Sequence, residues 1–248
     1  VDDAPTADKL QTTETYCTGI AEDGVVDFNW DYQGTFSQDK FDFEVLEGGN
    51  NPIATATVFG DSESQQRTIS TQVGEDLLDY NNTYYDWRVK VYDEEGNESD
   101  WVYGSDSSFG ADFTTSEEPW PYPDFRCDDE VCQDYLIERG NQVEINARDY
   151  SEVYDGNSNP DHCNWTVEAE SQSTTINNDS SCIIDEIQFN ENQIIISTGT
   201  VTRVLNVSDY DEVDVKVDVY DSYGNACSEE KTLEIRLSLP EWREVSSQ

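Results

Sequence analysis

Short runs of alternating apolar and polar residues, broken roughly every ten positions by Gly, Asn, Asp or Ser, constrain this chain more than any other feature. Successive side chains of a strand point to opposite sides, so a period of two gathers one set on one face. In VVDFNWDY that set is Val26, Phe28 and Trp30; in FDFEVLE it is Phe41, Phe43 and Val45. YYDWRVKVYD puts Tyr85, Trp87, Val89 and Val91 together. The second half does the same with Val143 and Ile145, with Trp165 and Val167, with Val213, Val215, Val217 and Val219, and with Leu233, Ile235 and Leu237. Helical periodicity is hard to find. Short alternating strands at this spacing predict an all-β chain of sandwich type.

One pattern occurs twice. VKVYDEEGN (89–97) and VDVYDSYGN (217–225) both fit V-x-V-Y-D-x-x-G-N, and each stands near the end of its half with one last strand after it. Gly and Asn tolerate the positive φ of a tight connection, so each motif reads as a core strand followed by a turn. The matched placement predicts two sandwiches in tandem. The stretch SEEPWPYPDFRC holds three prolines and reads as a stiff, extended connector, with Trp120, Tyr122 and Phe125 packing on their neighbours. The expected organisation is a first domain over 1–115, a connector over 116–125 and a second domain over 126–248.

The first domain resembles a microbial fibronectin type III domain, through VVDFNWDY, YYDWRVKVYDEEGNESDW and the closing FGADFTT. The second resembles a PKD-type or related immunoglobulin-like domain, through VEINARDYSEVYDGN, NWTVE and VDVYDSYGNACSEEKTLEI. Its Trp strand is followed by Ala169-Glu170-Ser171 in place of the family's Gly-Asp-Gly turn. The resemblance implies two tandem immunoglobulin-like β-sandwiches, fibronectin type III-like and then PKD/Ig-like, of an extracellular surface protein.

The net charge of −42 limits the partners. Residues 1–120 carry 27 acidic and 5 basic side chains, and residues 121–248 carry 28 and 8, so the acidity covers the whole surface. A phosphate backbone or an anionic membrane needs Lys and Arg, which excludes nucleic acid and such membranes as partners. Adaptation to high salt, where screening tolerates self-repulsion, and an ordinary acidic extracellular surface both fit; five Lys against eight Arg leans toward the first. No apolar run approaches the ~20 residues of a membrane helix. The chain holds no Met and opens on Val1, as expected of a mature form or an excised piece of an ectodomain.

Six Cys without a C-x-x-C, and a single His, favour disulfides in an oxidising compartment over zinc. CDDEVC predicts a short-loop bridge between Cys127 and Cys132. Cys163 and Cys182 flank the Trp165 strand and its return, where a hairpin would bring them together, and Cys227, at the start of the last strand, is the competing partner for Cys163. Cys17 stands alone in the first domain, leaving two cysteines that pair across domains or between chains.

Few residues suggest chemistry. His162 lies beside Cys163, but adjacent side chains on an extended chain point apart. No catalytic set stands out, and the expectation is a non-enzymatic chain. DGNSNPD sets Asp155, Asn157, Asn159 and Asp161 at alternate positions, a partial match to a calcium loop; Pro160 replaces the required Gly and no Glu closes it. An ordinary solvated Asx-turn loop is the preferred reading, with Ca²⁺ as the alternative. Glu117, Glu118, Asp124, Asp128 and Asp129 form a second candidate, for a calcium-stiffened connector. N-glycosylation sequons stand at Asn81, Asn97, Asn164, Asn178 and Asn206, of which Asn97 and Asn206 in turns are favoured. The function expected is a structural or adhesion module of a cell surface or filament, partnered by other surface proteins or copies of itself. The alternative is a carbohydrate-binding accessory module of a secreted hydrolase, which would display a row of aromatics to glycans.

Overall fold

A computed structural model describes residues 4–17, 24–47, 51–59, 66–73, 78–80, 83–104, 112–132, 137–207 and 210–236. The chain divides into two compact units, Val1–Pro119 and Trp120–Gln248. Both are β-sandwiches, and no described helix is long and apolar enough to cross a membrane.

The first unit contains β1 (Thr6–Thr15), β2 (Gly24–Gln33), β3 (Gln38–Glu47), β4 (Asn51–Phe59), β5 (Gln66–Val73), β6 (Tyr84–Asp93), β7 (Val102–Tyr103) and β8 (Phe113–Thr114). One sheet runs β1-β2-β5 and the other β4-β3-β6-β7, with β8 also on β6. Three strands facing four in this order is the fibronectin type III arrangement of the immunoglobulin-like sandwich. Alternation explains the core. β2 turns Val26, Phe28 and Trp30 inward, and β3 and β6 answer with Phe43 and Trp87. Phe28 meets Trp87 at 5.3 Å between ring centroids, and Trp30 stacks on Phe43 at 6.3 Å. Aromatics of this size let a chain with only 35% hydrophobic residues fill two cores, because each buries a large area.

The second unit contains β9 (Arg126–Cys127), β10 (Ile137–Glu138), β11 (Gln142–Asn146), β12 (His162–Ala169), β13 (Gln172–Asp179), β14 (Ile183–Asn190), β15 (Gln193–Ser197), β16 (Thr202–Leu205), β17 (Glu212–Tyr220) and β18 (Ala226–Arg236). Its sheets are β10-β18-β17-β12-β13 and β16-β15-β14-β11-β9. β10 runs parallel to β18, and the other pairings are antiparallel. In the second sheet the chain leaves β14, beside β11, and steps outward through β15 and β16. In an antibody-type constant domain the outer strand comes first in sequence. Residues 120–125, expected within the connector, belong to the second unit: Tyr122 and Glu152 exchange backbone hydrogen bonds at 2.9 Å, and Phe125 is fully buried with its ring edge-on to Trp165 at 5.9 Å.

The acidic surface is built into the strands. Asp is a poor strand residue and repels its neighbours. Four outward Asp residues each face a hydroxyl directly across the ladder. Thr57 donates to Asp42 at 2.7 Å, Ser70 to Asp27 at 2.6 Å, Ser228 to Asp218 at 2.5 Å and Thr232 to Asp214 at 2.6 Å. A cross-strand pair of this kind contributes ~0.2–1 kcal/mol, enough to offset a poor propensity, and Asp218 also faces Lys216 at 3.0 Å.

Candidate functional site

The repeated motif builds the same turn in both units. Alternation carries the inward face of β6 from Val89 and Val91 to Asp93, and that of β17 from Val217 and Val219 to Asp221. Both carboxylates are buried. Asp93 Oδ1 accepts from the N–H of Glu95 at 3.0 Å and of Asn97 at 2.8 Å, while Asn97 Nδ2 donates to Oδ2 at 2.9 Å. Asp221 repeats the set with Tyr223 N at 3.0 Å, Asn225 N at 2.8 Å and Asn225 Nδ2 at 2.8 Å. Gly96 and Gly224 take φ of 84° and 87°, where a side chain would be strained. Desolvation pushes the Asp93 carboxyl up, but the bonds from Asn97, Glu95 and Gly96 outweigh it and hold it below the ordinary range. The motif is therefore a buried acceptor that closes a turn, which gives its Asp a structural role.

The candidate calcium loop leans on one of these turns. Asp155 Oδ1 accepts from Asn157 N at 3.0 Å, and Oδ2 accepts from Asn157 Nδ2 at 3.0 Å and from Ser222 N at 2.7 Å. Desolvation opposes ionisation, but the donors from Ser222 and Asn157 prevail and lower its pKa to about 2. The carboxylate thus faces N–H donors. Asn159 Nδ2 reaches Ser158 Oγ at 3.5 Å. Asp161 turns to His162 Nδ1 at 2.8 Å, and the imidazole stacks on Tyr220 at 4.3 Å. Among the described residues no group of three or more His, Cys, Asp or Glu is placed to hold a metal. The second set is also dispersed: Asp128 accepts from Glu144 N, Asp129 from the Tyr150 hydroxyl, and Asp124 faces Lys231 and Arg126.

Two disulfides are placed. Cys127, on β9, bonds Cys132, and Cys163, on β12, bonds Cys182 at the entry to β14 in the opposite sheet. Cys227 is opposite Val219, which is opposite Cys163, so two strand spacings of ~4.8 Å put Cys227 beyond disulfide reach of Cys163. No described cysteine is a free thiol.

Of the sequons, Asn81 lies outside the described residues. Asn97 is spent on Asp93, and Ser99 of its triplet is buried with its hydroxyl accepting from Val91 N at 3.0 Å. Asn164 bridges the Tyr220 hydroxyl and the backbone N–H of Asn178. The side chains of Asn178 and Asn206 are on exposed backbone.

Among the described residues of the second unit, a depression of about 310 Å³ is lined by Glu168, Glu170, Tyr210, Asp211, Glu212 and Asp214. None of its lining residues is a Ser, Cys or His. Trp30, Trp87 and Trp165 are at most 1% exposed, and Trp101 lies against the Arg88 guanidinium at 4.5 Å. Of the exposed large apolar residues of the described surface, Val58 and Phe59 are neighbours on β4, and Tyr84, Val131, Val204 and Tyr223 stand on separate segments.

No family model matches the chain, and no curated protein matches it. Solved structures do. A bacterial ice-binding adhesin, described for its retention at the host cell surface, is 11% identical with a TM-score of 0.33, over 96% of this chain and 66% of that one. A two-domain fibronectin type III segment of chicken tenascin is 9% identical with a TM-score of 0.29, over 94% and 99%. A Ca²⁺-stabilised adhesin of an Antarctic bacterium is 14% identical with a TM-score of 0.33, over 95% of this chain and half of that one.

Proposed function

We propose that this chain is a non-enzymatic structural or adhesion module of an extracellular surface, in a cell envelope or a filament. The observation that carries the reading is the allocation of aromatics: Trp30, Trp87 and Trp165 fill cores, and on the outward side of β6 and β7 the partly exposed Tyr92, Trp101 and Tyr103 are stacked on Lys40, Lys90 and Arg88 and do not stand free. Disulfides within the second unit support an oxidising compartment. The outward Asp–hydroxyl pairs give an acidic, salt-tolerant face suited to a crowded surface, with other surface proteins or copies of this chain as partners. The second unit is read as a PKD/Ig-like relative with a reordered outer sheet. Binding to an immobilised panel of polysaccharides tests this against the carbohydrate-binding alternative. The module reading expects no retention above that of an inert acidic protein. Retention abolished by changing Phe59, Tyr84 or Tyr223 to Ala would overturn it.

A further inference from the structure

Lys231 occupies an inward position of β18, between Cys227 and Leu233 on the core face, and is 6% exposed. An ammonium there is costly unless it is paired. Its Nζ donates to Asp124 Oδ1 and, at 2.7 Å, to the carbonyl of Phe125, and it lies 4.5 Å from the Phe125 ring centre. Asp124 is itself fixed. Its backbone N–H donates to Ser151 Oγ at 3.1 Å, and its carbonyl accepts from that hydroxyl at 2.8 Å. Its carboxylate accepts from Phe125 N at 2.8 Å on Oδ1 and faces Arg126 Nη2 at 3.1 Å on Oδ2. Two residues before Lys231, on the same face of the strand, stands half-buried Glu229. Burial raises the Glu229 carboxyl above its ordinary range; Lys231 opposes that rise and Asp124 adds to it. An amine, a carboxyl held by other donors, and a second carboxyl whose burial favours its neutral form are thus gathered at the sandwich edge.

We propose that Lys231 and Asp124 condense into an intramolecular amide, with Glu229 carrying the protons. Transfer of a proton from Nζ to the Asp124 carboxylate turns the ion pair into an amine and an acid, removing two charges from a site that solvates them poorly. The Nζ lone pair then attacks Cγ of Asp124, and the carbonyl π pair moves onto Oδ2, where Arg126 stabilises it, while Oδ1, protonated by Nζ, becomes the departing hydroxyl. Glu229 gives its proton to the departing hydroxyl and recovers one from Nζ. The C–O bond breaks, the C–N bond remains, and one water leaves. Nothing is oxidised or reduced, and Glu229 ends as it began. The bond would join the residues just before β9 to the last strand, so that tension applied between residues 124 and 231 would bypass everything between them. This inference goes beyond the proposed function and does not depend on it.

Intact-mass spectrometry of the full chain, reduced and denatured, tests it. The expected mass is below that of the sequence by one water, and digestion should yield a branched peptide containing both Asp124 and Lys231. The full sequence mass, with Lys231 open to acetylation in the denatured chain, would overturn the proposal. Glu229→Gln, checked for its fold by circular dichroism, should retain the water, as should Lys231→Arg, which keeps the ion pair without the reacting amine. Loss of water from the Glu229→Gln chain as fast as from the unaltered one would overturn the role given to Glu229.

Discussion

Replacing Asp221 by Ala tests whether the buried carboxylate holds the repeated turn. Three N–H donors from Tyr223 and Asn225 converge on it within 3.0 Å. Hydrogen bonds to a charged group are worth ~1.5–3 kcal/mol each. Tyr223 is exposed, so water can reach part of the vacated turn and the full sum is not lost. The expected destabilisation is ~3 kcal/mol, which for a unit of this size lowers Tm by about 10 °C. Asp221→Asn keeps an oxygen acceptor for the two backbone donors but turns an amide toward Asn225 Nδ2, so about half the effect is expected. Differential scanning calorimetry should show the loss in one transition, and Asp93→Ala should lower the transition of the other unit. An Ala variant within about 1 °C of the unaltered chain, or an Asn variant worse than Ala, would refute the argument.

Raising NaCl from 0.1 to 1 M shortens the Debye length from ~10 to ~3 Å, so Tm should rise in both units; a rise confined to one would show that the acidity is local. The Cys163→Ala/Cys182→Ala pair opens a bridge of sequence separation 19, and a loss of ~3 kcal/mol in urea unfolding is expected. Asp155 is held at about 2, below its unfolded value, so its contribution is complete above pH ~4 and disappears as pH falls through ~2. The stability gap between Asp155→Asn and the unaltered chain should close over that window, as followed by acid titration of unfolding. Because its oxygens already accept N–H donors, calcium is expected to stabilise no more than magnesium at matched ionic strength; a calcium-specific rise in Tm would show that the loop rearranges to bind it.

The period of two was enough to place Val26, Phe28, Trp30, Trp87, Trp165 and the valines of β17 in cores, because a buried face leaves one register open to each strand. Continued by one step, the same alternation places Asp93, Asp221 and Lys231 inward. Residue type argued against reading them so, and their roles depend on partners remote in sequence or folded back in a turn, such as Asp124 for Lys231. The sequence already put Cys182 beside Cys163, but it could not dismiss Cys227, because that depends on strand order: β17 separates Cys163 from Cys227, and no local pattern reports that. The outward path from β14 to β16 is equally silent, since meanders in either direction use the same turns. The DGNSNPD spacing showed carboxylates at alternate positions, but not that Ser222 would approach Asp155.

The placement of the chain outside the cell is tested most directly on the cells that make it. A membrane-impermeant amine label applied to intact cells, followed by immunoprecipitation and thiol alkylation of the denatured, unreduced protein, reads location and redox state together. The account predicts labelling without permeabilisation and no alkylated cysteine. Labelling only after lysis, with the thiols of Cys127, Cys132, Cys163 and Cys182 free, would contradict it.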